Sequence, residues 1–189
     1  MTATTLAPPI TAPDRIQLPI QFDAAALQAE LAGIKARPYV YYYVDMLCIP
    51  PDMSKHTGAS RAPAIDNGDL SDIPVLKSII EYFRQHTTVT LARLLRLEPG
   101  AEVKLHTDPT LGLDIDDSVI RLTVPITDPA NVTFWLNDTP TQMQPGECWY
   151  LKLNAPHRIL NASDKERVNL TIDVVPNDWV LEMLGLMPR

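Results

Sequence analysis

The chain has 189 residues, 46% of them hydrophobic and 21% charged, with a net charge of −7. That is enough apolar material for one substantial core, and nothing in the composition requires a second domain. The acidic balance argues against nucleic acid and anionic membranes as partners, and no stretch approaches the roughly 20 apolar residues of a membrane helix.

The N-terminus Met-Thr-Ala-Thr-Thr-Leu-Ala-Pro-Pro has neither a basic nor an apolar leader region, so a cytoplasmic protein is expected. Residues 1–19, with Pro8, Pro9, Pro13 and Pro19, read as a mobile arm, and residues 20–189 as a single domain. From Asp23 to Ile34 the apolar residues Ala26, Leu27, Leu31 and Ile34 recur at helical intervals, with Asp23 as N-cap and Gly33 near the end. Tyr39 to Val44 is aromatic and β-branched, as strands prefer, and Pro50-Pro51 closes that segment. Cys48 and Cys148 lack partners at zinc-site spacing and are expected to be free thiols.

Pro51 to Asp72 is rich in Gly, Pro, Ser, Asp and Asn and reads as a long loop, in which Lys55, His56 and Arg61 could meet a substrate. A second helix is predicted from Ile73 to His86, with Val75, Leu76, Ile79, Ile80 and Phe83 on one face and His86 placed by the helix dipole. Beyond residue 88 short strands alternate with turn signals. The predicted strands are Val89–Leu97, Glu102–His106, Val119–Ile126, Val132–Leu136, Glu147–Leu153, Arg158–Asn161 and Arg167–Val175. This number of antiparallel strands fits a mainly β, double-sheet jelly roll over about 88–175, with the two helices packed outside it. Asn131, Asn137, Asn161 and Asn169 each open a glycosylation sequon, but without a leader they read as ordinary strand and turn asparagines.

His106-Thr107-Asp108 and the distant His157 carry the chemistry. Two imidazoles and one carboxylate form the ligand set that mononuclear Fe(II) uses while keeping positions open for a co-substrate and O₂. Ten residues after His157, Arg167 offers a planar fork suited to a carboxylate, which points to 2-oxoglutarate. Alternation places Arg167, Asn169, Thr171 and Asp173 on one strand face, opposite Val168, Leu170, Ile172 and Val174. Arg121 and Thr123 likewise oppose Ile120, Leu122, Val124 and Ile126, and the two polar faces together predict a lined cavity. Asp114, Asp116 and Asp117 lack a calcium-loop pattern and read as a solvated loop over the site entrance.

These pieces occur in a fixed order. Leu97-Glu98-Pro99-Gly100, His106-Thr107-Asp108, Ile120-Arg121-Leu122-Thr123, Gly146-Glu147-Cys148-Trp149-Tyr150, His157, Asn161 and Arg167 through Asp173 together resemble the aspartyl/asparaginyl β-hydroxylase family. Within it, the chain is similar to the small bacterial cis-proline and related amino-acid hydroxylases. The resemblance implies a double-stranded β-helix (cupin-like) dioxygenase that binds Fe(II) through His106, Asp108 and His157. It further implies that the distal carboxylate of 2-oxoglutarate lies on Arg167, with Arg121 near the metal-proximal carboxylate. Thr123 stands where the family's Arg-x-His strand has histidine. Asp108 sets the chain apart from vertebrate-type members, which lack the metal-binding carboxylate, and its presence favours hydroxylation over halogenation. The implied reaction consumes O₂ and 2-oxoglutarate, releases succinate and CO₂, and hydroxylates an amino acid or a residue in a short peptide. A non-catalytic metal-binding or ligand-sensing β-barrel is the alternative. Two arginines beside an open triad weigh against it, since structural metal sites are more often closed by four protein ligands.

Overall fold

The computed structural model describes residues 10–34, 43–51, 60–127 and 130–187. In chain order its elements are β1 (Arg15–Gln21), α1 (Ala24–Leu31), β2 (Tyr43–Ile49), β3 (Ile65–Asp66), α2 (Pro74–His86), β4 (Val89–Leu97), β5 (Glu102–His106) and β6 (Ile120–Pro125). They continue with β7 (Val132–Leu136), β8 (Thr139–Thr141), β9 (Glu147–Leu151), β10 (His157–Asn161), β11 (Arg167–Val174) and α3 (Asp178–Met183). Among the described residues the strands form a seven-stranded sheet of order β1-β9-β6-β11-β4-β2-β3 and a four-stranded sheet of order β5-β10-β7-β8. The pairings within both sheets are antiparallel. This is the expected jelly roll.

The larger sheet uses its two faces differently. Val168, Leu170, Ile172 and Val174 of β11 and Leu122 and Val124 of β6 join Leu76, Ile79, Ile80 and Phe83 of α2 in one core. All eight residues of β11 are buried, so its polar face points into the molecule rather than into solvent. A smaller cluster of Leu111, Val119, Phe134, Leu136, Met143, Leu151 and Leu153 lies apart from this core.

Local signals explain the helices. The Asp23 carboxylate accepts from the Ala26 N–H and caps α1 as expected. Helix α2 has no side-chain cap of its own, and Pro74 occupies its first turn. The Glu30 carboxylate, from α1, accepts from Val75 N–H and Leu76 N–H at 2.7 and 2.8 Å and supplies the missing cap. Phe83 is fully buried and meets Phe22, Tyr82 and Trp179 ring to ring. Phe83→Ala is therefore expected to cost about 3–5 kcal/mol of stability in denaturant unfolding. His86 stacks on Trp179 at 4.5 Å, so a ring contact as well as the helix end holds it in place.

The elements that differ from expectation have local causes. Residues 15–19, assigned by composition to the arm, belong to β1, which pairs with β9. Arg15 anchors that strand by donating to the Leu136 carbonyl and to Thr141 Oγ. Gly146 enables this docking: its φ is +82°, and a Cβ there would collide with the Phe22 carbonyl. Strand β8 follows Asn137 and Asp138, both in the left-handed region, which is the geometry of a two-residue hairpin turn. Pro140 within it disguises an edge strand as a loop. Strand β2 (Tyr43–Ile49) ends just before Pro50, where the sequence closes the segment, and residues 39–42 of the predicted segment fall outside the described residues. Helix α3, which periodicity did not reveal, is one short turn-and-a-half capped by Asn177.

Both cysteines are free and buried, and burial pushes the Cys48 thiol up to about 12, leaving an inert group. Asn161 is fully buried and its amide donates to the Leu97, Glu98 and Lys165 carbonyls, a structural role at the turn before β11.

Candidate active site

Strands β5 and β10 are ladder neighbours, and their register sets His106 directly opposite His157. The two rings lie 4.2 Å apart between centroids. Asp108 follows β5 by two residues, and its N–H donates to the Leu153 carbonyl at 2.8 Å, which fixes this turn against the chain leading into β10. One potential ligand atom from each of His106, Asp108 and His157 lies within 4.8 Å of the others. Asp108 Oδ1 is 3.8 Å from His106 Nε2.

The orientation of each imidazole has a cause. His106 Nδ1 sits 2.7 Å from the Lys104 carbonyl and His157 Nδ1 sits 2.9 Å from the Ala155 carbonyl. A carbonyl only accepts, so the proton resides on Nδ1 and each Nε2 keeps its lone pair for a ligand, the arrangement commonly seen around metal-binding histidines. Burial lowers the His157 pKa, with the Ala155 carbonyl opposing and His106 reinforcing that shift. A neutral ring follows, as a metal ligand requires. The stacked Phe134 ring, 5.8 Å away, backs His157 on the sheet side. Two Nε2 atoms turned away from the backbone carbonyls, one carboxylate oxygen and no fourth protein ligand among the described residues fit an open Fe(II) centre.

The triad borders a cavity of about 670 Å³. Arg121, Thr123, Arg167, Asn169, Thr171 and Asp173 line it, so the predicted polar faces of β6 and β11 are indeed its walls. Apolar cover comes from Leu91, Leu95, Leu111 and Val119 among others.

The two arginines differ in environment. Arg167 is buried, and desolvation alone brings its pKa down to about 10, still cationic at neutral pH. No carboxylate pairs with it among the described residues. Its neighbour is Asn169, whose surroundings require the carboxamide oxygen to face Arg167 Nη2 and the nitrogen to face the Val168 carbonyl. Arg121, expected beside the co-substrate, grips Asp173 through Nε and Nη2 at 2.7 and 2.9 Å and Asp108 through Nη1 at 3.0 Å.

The flanking loops have structural tasks. Arg61 donates to the Ser118 carbonyl at 2.9 Å and ties its own loop to the 109–119 segment. Lys55 and His56 fall outside the described residues. Asp114 pairs with Lys152 and accepts from Asn154. The pairing of Asp173 with Arg121 was the part of the site not predicted. Alternation put Asp173 on the correct face, but facing it with Arg121 required the β6–β11 register.

Residues 65–176, more than half of the chain, match the family described as aspartyl/asparaginyl beta-hydroxylase. The chain belongs to this family. It is accordingly a 2-oxoglutarate- and Fe(II)-dependent oxygenase of the hydroxylase kind, with O₂ as co-substrate. A search of curated proteins returned no match. Among solved structures, the chain is similar to a 2OG-Fe(II) oxygenase family oxidoreductase from Burkholderia pseudomallei, with TM-score 0.55 and 13% identity over 85% of this chain and 84% of that one. It is also similar to a Pseudomonas putida prolyl-4-hydroxylase, with TM-score 0.54 and 14% identity over 87% and 93% of the two chains. A viral collagen prolyl hydroxylase from Paramecium Bursaria Chlorella virus-1 gives TM-score 0.55 and 10% identity over 87% and 97%. At these identities the three likenesses speak for the fold. No helix among the described residues is long and apolar enough to cross a membrane.

Proposed function

We propose that the chain from β1 onward, rather than from residue 20, acts as one dioxygenase domain that holds Fe(II) on His106 Nε2, Asp108 and His157 Nε2, and that its substrate is a small amino acid or a residue in a short peptide. The observation that carries the metal assignment is the convergence of these three ligand atoms with both Nδ1 atoms turned to backbone carbonyls. Iron with 2-oxoglutarate and O₂ supplies the oxidising chemistry, in which succinate and CO₂ leave and one oxygen enters a substrate C–H bond.

The chain's own residues bind and orient. Arg167 receives the distal carboxylate of 2-oxoglutarate, because it is a buried cation on the cavity wall with no carboxylate partner among the described residues. Thr171 and Asn169 share its face of β11 and supply neutral polar groups along the same wall. Leu91, Leu95, Leu111 and Val119 keep water from the reacting region.

Several features support the substrate class. A cavity of about 670 Å³ falls in the range of small-molecule sites. The net charge of −7 disfavours nucleic acid, and the resemblance to bacterial amino-acid hydroxylases gives the positive direction. Incubation with Fe(II), 2-oxoglutarate and pools of free amino acids or short peptides should yield products heavier by one oxygen, with matching succinate, by mass spectrometry. If only folded proteins gained oxygen while every small pool stayed unmodified, the proposed substrate class would be wrong.

A further inference from the structure

Asp108 offers two oxygens, and the structure treats them differently. Oδ1 faces His106 Nε2 at 3.8 Å, whereas Oδ2 accepts from Arg121 Nη1 at 3.0 Å. Arg121 in turn directs Nε and Nη2 to the two oxygens of Asp173. Register explains the pairing, since Asp173 of β11 stands directly across from Arg121 of β6. Both strands are interior members of the larger sheet, with neighbours on each side. The Asp173 side chain is only 7% exposed and that of Arg121 13%, so the pair is well shielded from water.

We infer that Asp173 and Arg121 are positioning residues for the metal carboxylate: Asp173 occupies one edge of the guanidinium, so that Arg121 holds Asp108 at a single point and leaves Oδ1 for Fe(II). This inference rests on the triad being the iron site. Its physical basis is the fork geometry of arginine. A guanidinium offers two edges for bidentate pairing, and an Arg121 not occupied by Asp173 could take both oxygens of Asp108 and draw them from the metal. With Asp173 in place, Asp108 is fixed in one rotamer and presents one oxygen. Arg121 then acts on the metal site through its carboxylate ligand, a role distinct from binding a carboxylate of 2-oxoglutarate.

The two roles predict opposite behaviour in a titration of the full chain with Co(II), used as a redox-silent substitute for Fe(II). Asp173→Asn keeps the side-chain volume but loses the anionic grip on Arg121. It should raise the Co(II) dissociation constant about 10–100-fold, the usual cost of removing a group that orients a metal ligand. It should also alter the visible ligand-field absorption of bound Co(II). Arg121→Lys should do the same, because an ammonium cannot hold both carboxylates with a planar fork. In both variants the affinity for 2-oxoglutarate at saturating Co(II) should stay that of the parent.

If Co(II) affinity and spectrum were unchanged while 2-oxoglutarate bound more weakly, Arg121 would be a co-substrate residue and the inference would be overturned. Should Asp173→Asn fail to fold by thermal unfolding, Arg121→Lys and Arg121→Gln carry the same comparison. His157→Ala separates this inference from the reading beneath it. A parent-like Co(II) affinity in His157→Ala would remove the triad assignment itself, whereas loss in His157→Ala with parent-like Asp173→Asn and Arg121→Lys would remove only the positioning role.

Discussion

Replacing His157 by alanine is expected to abolish succinate formation and to weaken Fe(II) binding by more than about 100-fold, since groups that merely orient a ligand are already worth about 10–100-fold. The reason lies in how His157 is built into the fold. It opens β10, pairs with His106 across the ladder, and is buried against Phe134, so its Nε2 is set in place before any metal arrives. A histidine on a mobile loop would lose some of its binding free energy to ordering, whereas this one is ordered by the sheet. Thermal unfolding of the variant provides the control, because the alanine leaves the strand and its hydrogen bonds intact. Iron content and succinate release measured on the same preparation check the prediction. Retained iron-dependent turnover would show that the ligand set is different.

Arg167→Lys is the second large effect expected, although it conserves charge. Arg167 lies in a buried polar wall where only a planar fork can meet a carboxylate with two parallel hydrogen bonds, and lysine presents a single strongly hydrated point charge. Losing such a contact with the partner charge left buried costs on the order of 2–5 kcal/mol. That corresponds to roughly 30-fold to several thousand-fold in the 2-oxoglutarate dissociation constant. Metal affinity should be unaffected, because no atom of Arg167 is among the ligands. Calorimetric titration of 2-oxoglutarate into metal-loaded Arg167→Lys and Arg167→Ala checks this. Parent-like affinity in both would move the co-substrate carboxylate elsewhere along the wall.

The pattern of what the sequence revealed has a physical basis. Strands from Val89 onward were legible from turn signals between short apolar segments, and β6 and β11 in particular because they alternate apolar residues on the core face with polar residues on the cavity face. The triad was legible from ligand types, as His106, Asp108 and His157 sit at strand ends next to readable turns. Strand β1 was obscured by the prolines around it, and its place in the sheet depends on a distant contact, Gly146 against Phe22. Asn137-Asp138 makes a tight hairpin without the glycine that usually announces one. The Arg121–Asp173 pair required cross-strand register, which a single sequence does not encode locally. Arg61 reads in the sequence as a loop residue that could meet a substrate and is a clasp on the Ser118 carbonyl, a contact across 57 residues of chain.

The central claim, that iron and 2-oxoglutarate share this one cavity on the residues named, is tested most directly by a crystal structure grown without oxygen in the presence of Fe(II) and 2-oxoglutarate. The account predicts one metal ion ligated by His106 Nε2, a single oxygen of Asp108 and His157 Nε2. It also predicts that the co-substrate chelates the ion and that its distal carboxylate is paired with Arg167, while Arg121 remains between Asp108 and Asp173. A metal bound outside the triad, or a 2-oxoglutarate carboxylate seated on Arg121 with Arg167 empty, would contradict it.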